Sequence, residues 1–288
     1  MATTSELVWL ITGTSSGLGR QLSLETLARG DKVIATTRPR SLANLENLRE
    51  RGAAVLALDV QAPLEELRQI AAEAVKIYGR VDVVVNNAGY PLFGAIEENT
   101  PEETEDQFQT NVFGALNITR AFLPYMRERR SGTIVWIGSL AGWTALPYIG
   151  LYGSTKWALR GISYCLHEEI APLGLRSVCI DFGYFRTEVL QEGRRVPATY
   201  RIDDYKSLVD SKEALVQAKN GNQPGDPVKG VKVIADIVHG TGVAKDKAFP
   251  LGVCLGSDAY NVGVSVASKN LELLEEWKDV SFMTDFVQ

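Results

Sequence analysis

The chain has 288 residues, 45% hydrophobic and 23% charged, with 30 Lys and Arg against 35 Asp and Glu. That supplies a large core, and an α/β domain of this length often stays single, while a net charge of −5 excludes the clustered basic surface that a nucleic-acid partner needs. Three widely spaced cysteines (Cys165, Cys179, Cys254) suit reduced thiols in a cytosol better than a disulfide frame, and two distant histidines, His167 and His239, suggest no metal site.

The first residues, MATTSELVWLITG, carry no basic leader, and their apolar run is too short to span a bilayer, so the expectation is a cytoplasmic protein without a membrane partner. Short β-rich runs then alternate with longer helical patterns. LVWLIT (7–12), KVIATT (32–37), AVLALD (54–59), VDVVVN (81–86), TIVWIG (133–138) and SVCIDF (177–182) read as strands, apolar enough to be buried on both faces of a parallel sheet. Helical stretches fall near 18–29, 63–78, 101–129 and 152–171. The last puts Ala158, Leu159, Ile162, Cys165, Leu166 and Ile170 on one face and ends at Pro172 and Gly174. This alternation predicts an α/β, doubly wound parallel sheet with helices on both faces, whose sites open at the carboxyl ends of the strands.

TGTSSGLG (12–19) follows the first strand and opens the first helix. Gly13, Gly17 and Gly19, with Thr14, Ser15, Ser16 and Leu18 between them, make a turn where missing Cβ atoms admit a diphosphate to free helix N–H groups. An ordinary tight β–α turn is the competing reading. NNAG (86–89) ends the fourth strand, where Asn side chains can bridge strands while Ala88 and Gly89 leave room for a flat ring, although taken alone the tetrapeptide reads more simply as a turn. YGSTK (152–156) holds a phenol and an ammonium one helical turn apart. It reads either as a half-exposed helix face or as a phenol whose acidity a cation tunes.

In order and spacing these segments resemble the short-chain dehydrogenase/reductase family over roughly residues 6–190: the glycine turn, LDV at 58–60, NNAG, Asn111 in QTNVFG, Ser139 in IGSLAG, Tyr152-x-x-x-Lys156, and FGYFRT at 182–187. The resemblance implies a Rossmann-type fold and a catalytic tetrad of Asn111, Ser139, Tyr152 and Lys156. Tyr152 would move the proton, its phenolate favoured by the Lys156 ammonium and the oxidised cofactor. Lys156 would also bind the nicotinamide ribose, Ser139 the substrate oxygen, and Asn111 a water. It further implies cofactor contacts from the glycine turn, Thr37, Arg38, Asp59, Val60, Asn87, Ala88, Gly89, Gly183, Phe185 and Thr187. Phe182 stands where the family has proline, and the C-terminal third departs from the family's ending.

In NAD-preferring relatives an acid ends the second strand. Here Thr37 is neutral and Arg38 follows, which points to NADP(H). Arg40 adds to the field, and Asp31 lies at the strand's wrong end. The leading reading is thus an NADP(H)-dependent carbonyl reductase or alcohol dehydrogenase. A non-redox lyase, isomerase or cyclase, or a nucleotide sensor, are the alternatives. Ser139, Trp143, Leu146, Tyr148, Phe93 and Tyr184 are the expected lining for an apolar carbonyl or alcohol. Residues 188–225 are expected to form a mobile helical lid, 226–288 the last helices and strand, and the charged LELLEEWKD near the end favours a monomer or homodimer.

Overall fold

A computed structural model describes residues 6–286. Strand β1 (Val8–Ile11) leads through the glycine turn into α1 (Gly17–Ala28), then β2 (Lys32–Thr37), the short α2 (Glu46–Glu50), β3 (Ala54–Ala57) and α3 (Leu64–Tyr78). The chain crosses back to β4 (Val83–Asn86), makes the two-residue β5 (Leu92–Phe93), and runs through α4 (Pro101–Phe108) and α5 (Ala115–Arg129). Then follow β6 (Gly132–Ser139), α6 (Gly150–Ile170), β7 (Leu175–Phe182), the two-residue β8 (Val196–Pro197), α7 (Lys206–Lys219), α8 (Pro227–His239), β9 (Gly252–Leu255), α9 (Ser257–Glu276) and α10 (Lys278–Phe282).

The main sheet has seven parallel strands in the order β3-β2-β1-β4-β6-β7-β9. All six expected strands are in it. Alternate side chains enter opposite cores: Val8, Leu10, Ile134 and Trp136 pack toward α3, α5 and α6, whereas Trp9, Ile11, Val135 and Ile137 pack toward α1, α2 and α8. Burial on both faces explains the unbroken apolar runs in the sequence. The chain winds one way from β1 and the other from β4, so the crevice at their carboxyl ends is the switch point where such sheets bind ligands.

One expectation is corrected. The helix read over 101–129 is not uniform, because Gln109–Gly114 widens into a π-helical turn that carries Asn111. Close packing accompanies the widening: a Cβ on Gly114 would stand 2.8 Å from the Val60 carbonyl. The segment 188–225 contains one regular α-helix, α7, and β8 fastens it to the body by pairing with β5.

Candidate active site

A cleft of ≈ 990 Å³ runs across the carboxyl edge of the sheet. At one end lies the glycine turn. Gly13 (φ 70°) and Gly17 (φ 57°) both adopt the left-handed conformation that side chains resist, and a Cβ on Gly13 would stand 3.0 Å from Ala88 Cα. NNAG clamps the turn from below. The Asn87 amide donates to the carbonyls of Thr12 (2.7 Å) and Gly13 (3.1 Å), and the Thr12 hydroxyl accepts from the N–H groups of Asn87 and Ala88 (3.0 Å each). Ser15, Ser16, Gly17 and Leu18 line the cleft where α1 begins. The first turn of α1 holds no acid, and the Ser16 side chain does not cap it, so its N–H groups and dipole offer an anion site.

Further along that end, Thr37 is buried at the tip of β2, and the exposed Arg38 and Arg40 line the cleft with Ser41 and Asn44. Asp59, Val60, Ala88 and Gly89 line it as well. Asp31 lies at the opposite edge, accepting hydrogen bonds from Leu7 N–H (3.0 Å) and the Trp9 indole (2.8 Å) and sitting 2.7 Å from His239 Nε2. Burial works to raise its pKa, but the His239 and backbone hydrogen bonds hold it below the ordinary carboxylate value.

At the middle of the cleft, α6 brings Tyr152 and Lys156 beside Ser139 at the end of β6. Lys156 is 6% exposed; its ammonium donates to the Ile137 carbonyl (2.7 Å) and lies 5.6 Å from the centre of the Tyr152 ring. Burial lowers its pKa to about 8, against the raising fields of Cys179 and Asp181. Burial pushes Tyr152 up to about 12, with the negative fields of Tyr184 and Asp181 adding to the rise and a hydrogen bond to Ser139 opposing it. In the ligand-free molecule burial keeps the phenol protonated, while the Lys156 ammonium bonds the Ile137 carbonyl.

Asn111 is buried on the π-helical turn, its amide donating to the Tyr90 carbonyl (3.0 Å) and to Thr155 Oγ1 (3.2 Å), its oxygen accepting from Tyr90 N–H (3.1 Å). Its partner Thr155 directly precedes Lys156 in the chain. Phe182 keeps the strand register, paired with Ser139 and Leu255, and stacks edge-on against Phe185 with ring centres 4.7 Å apart. Beyond it, Gly183, Tyr184, Phe185 and Thr187 all line the cleft.

The family model for short chain dehydrogenases matches residues 7–197. The chain belongs to this family. Its relatives include oxidoreductase BOA17 of Botryotinia fuckeliana, 34% identical over 95% of this chain and 97% of that one. A crystal structure of a short-chain dehydrogenase from Streptomyces avermitilis is 37% identical, with a TM-score of 0.87 over 99% of this chain and all (100%) of that one. ElxO with NADP bound is 26% identical, with a TM-score of 0.68 over 87% of this chain and 98% of its own. The chain is accordingly an oxidoreductase of the short-chain dehydrogenase family, and among the described residues no helix is long and apolar enough to cross a membrane.

Three expected contacts of this short-chain dehydrogenase fall elsewhere. Thr14 turns away from the cleft; its N–H (3.0 Å) and hydroxyl (3.1 Å) both donate to the Thr36 carbonyl. Gly19 is buried behind the turn, where a Cβ would collide with Asn87 and the Gly13 carbonyl, so it serves close packing. Trp143 does not line the cleft, because its indole donates to Asp181 (2.9 Å) and the Arg160 guanidinium stacks on it at 3.6 Å. Phe93, Leu146, Tyr148 and Tyr184 do line the cleft, as expected, although the Tyr148 hydroxyl is committed to Glu213 (2.7 Å).

Two neighbours of the site escaped the sequence reading. Asp181, 1% exposed, accepts from the Ser139 N–H (3.2 Å) and holds the serine at the end of β6. An acid inside the apolar run SVCIDF was its visible signal. Gln223 reaches the cleft from the loop after α7, and nothing in its sequence neighbourhood marks it.

Proposed function

We propose that this protein is an NADP(H)-dependent oxidoreductase that interconverts a carbonyl and a secondary alcohol. The observation that carries the reading is the meeting of Tyr152, Ser139 and Lys156 inside a cleft whose other end is an anion site flanked by Arg38 and Arg40. The residues fit a dinucleotide: Gly13 has no room for a side chain beside Ala88, Gly17 holds a left-handed conformation that side chains resist, and no carboxylate ends β2 to repel a 2′-phosphate. The similar ElxO structure, with NADP bound, supports the same choice.

When bound, the nicotinamide supplies the hydride. Tyr152 donates the proton to the carbonyl oxygen in reduction, a task that suits a phenol kept protonated by burial. Ser139 orients that oxygen, with its own backbone held by Asp181. Lys156 sits where it can release the Ile137 carbonyl and turn to ribose hydroxyls. A wall of Phe93, Tyr148, Leu190 and Val209, against which Tyr184 and Val216 pack, favours an apolar substrate. Placing the protein in the cytoplasm rests on its three free cysteines.

Consumption of NADPH absorbance with a panel of ketones and aldehydes tests the activity. Tyr152→Phe is expected to keep cofactor affinity within about twofold and to lose at least ~10²-fold in turnover, the usual range for general acid catalysis. Near-normal turnover in that variant, or equal catalytic efficiency with NADH and NADPH in the native protein, would contradict the proton donor and the reading of Arg38 respectively.

A further inference from the structure

Gln223 is 1% exposed, and neither its amide nitrogen nor its amide oxygen has a hydrogen-bond partner. A few other side chains, Asn86, Asn99 and Arg195, bury a single unpartnered atom, and none of them lines the cleft. Gln223 alone among them has both ends of its side chain unpaired, and it alone lines the cleft. Buried amides are ordinarily satisfied, and leaving one unpaired is unfavourable. A fold that keeps one beside a ligand cleft has a partner for it in the ligand.

The surroundings indicate which ligand. The Gln223 carbonyl accepts from Arg186 Nη2 (3.1 Å), and two residues on, Gly225 donates its N–H to the Tyr184 carbonyl (2.9 Å) and accepts from Arg186 N–H (2.9 Å). Gln223 is thereby fixed over the loop from Tyr184 to Thr187. One end of that loop lies at the reacting centre, since Tyr184 lines the cleft together with Tyr152 and Ser139. Its other end lies at the glycine turn, where a Cβ on Gly17 would stand 3.8 Å from Thr187. A dinucleotide with its redox ring beside Tyr152 and its diphosphate at the start of α1 must lie along this loop. Phe93, Tyr148 and Leu190 form an apolar wall of the same cleft, against which Tyr184 packs.

We propose that Gln223 is a cofactor-binding residue, its side-chain amide pairing with hydrogen-bonding groups of the nicotinamide half of the dinucleotide. The chemistry matches, since the nicotinamide carboxamide presents one carbonyl and one NH₂, the complement of a glutamine amide. Gln223 also lies between α7 and α8, so this contact would tie the end of α7 to an occupied cofactor site. The inference rests on the reading of the cleft as a dinucleotide site.

Gln223→Leu and Gln223→Met remove the amide and keep the bulk. Two effects of opposite sense are expected. The ligand-free variants melt about 2 °C or more above the native protein, because an unpaired buried amide has gone. Their affinity for NADPH, measured by fluorescence titration without any substrate, falls about tenfold, the loss expected for a pair of neutral hydrogen bonds. Unchanged NADPH affinity in both variants overturns the proposal. If substrate KM then rises instead, the amide reads the substrate; if melting falls instead, its role is structural. A native protein that binds neither NADPH nor NADH would sink the reading of the cleft itself, a result distinguishable from failure of the Gln223 assignment.

Discussion

Lys156 and Tyr152 sit one turn apart on α6, yet their surroundings drive them in opposite directions. Burial makes the ammonium easier to lose, near pH 8, and the phenol harder to ionise, up to about 12. Phosphates and ribose hydroxyls of a bound dinucleotide favour the charged ammonium, so binding raises the Lys156 pKa. The sign follows by linkage: binding takes up a proton above the free-protein pKa, and affinity weakens as pH rises through it. NADPH affinity is therefore expected to be flat near pH 7 and to fall by up to tenfold per unit between about pH 8 and about pH 10. Lys156→Ala should bind more weakly and with a flat profile, and a flat profile in the native protein would refute the coupling. At this scale the sequence disclosed chemistry better than direction. The spacing of Tyr152 and Lys156 put them on one helix face, and the family resemblance placed Ser139 at a strand end; the structure brings all three to one cleft. Thr14 and Trp143 were misread because spacing does not say which way a side chain turns at a loop. Gln223 was invisible because its significance is an unpaired amide, which exists only after the chain has folded around it.

Strands were the most legible elements, since burial on both faces of the sheet leaves unbroken apolar runs, whereas the π-helical turn at Gln109–Gly114 has no compositional mark distinct from a helix. The lid lies between these cases. Its charges and aromatics suggested a movable cover, and the structure shows how α7 is tethered: Glu213 accepts from the Tyr148 hydroxyl (2.7 Å) and from Arg195 (2.6 Å), over a small apolar cluster of Phe93, Tyr148, Leu190 and Val209. Burial works to raise the Glu213 pKa, but the hydrogen bonds from Tyr148 and Arg195 outweigh it and hold it below its usual value. A depressed carboxylate pKa means stability that is present above the unfolded value and lost as pH falls through the folded one, so the tether should loosen only in acid. Hydrogen bonds to a charged group are worth ~1.5–3 kcal/mol each. Glu213→Ala should therefore speed hydrogen exchange across 206–219 at least about tenfold while the sheet stays unchanged. Cofactor and substrate together should slow that exchange in the native protein, the behaviour of a closing cover. Exchange in α7 indifferent to both the substitution and the ligands would show a fixed surface helix.

The molecule as a whole has one feature that a single copy does not resolve. Helix α9 starts against the body, with Ala259 buried and Gly263 packed near Cys254 and Trp143, but from Ala267 to Phe286 every residue is exposed. Apolar side chains run along it, including Leu271 (63% exposed), Leu274 (69%) and, beyond its end, Met283 (82%). Tyr260, Val264, Ala267, Leu271 and Leu274 recur at spacings of four and three, the seam of a helix that packs against another helix of the same period. We propose that the partner is α9 of a second copy, related by a two-fold axis, since such a stripe is complementary to itself. Positions flanking the seam are largely uncharged (Asn261, Gly263, Ser268, Asn270), so a copy meets little like-charge repulsion there. Glu272, Glu275, Glu276 and Asp279 crowd the far end and would oppose one another in a parallel pair, which favours the antiparallel one. A 20-residue helix is about 30 Å long, enough for a standard-sized contact of ~800 Å² on each partner when the residues beyond it join in. Light scattering at micromolar concentration is expected to give a dimer, and Leu271→Glu with Leu274→Glu a folded monomer that still binds NADPH. A monomeric native protein, or an assembly that survives both charges, would show that α9 is not the interface.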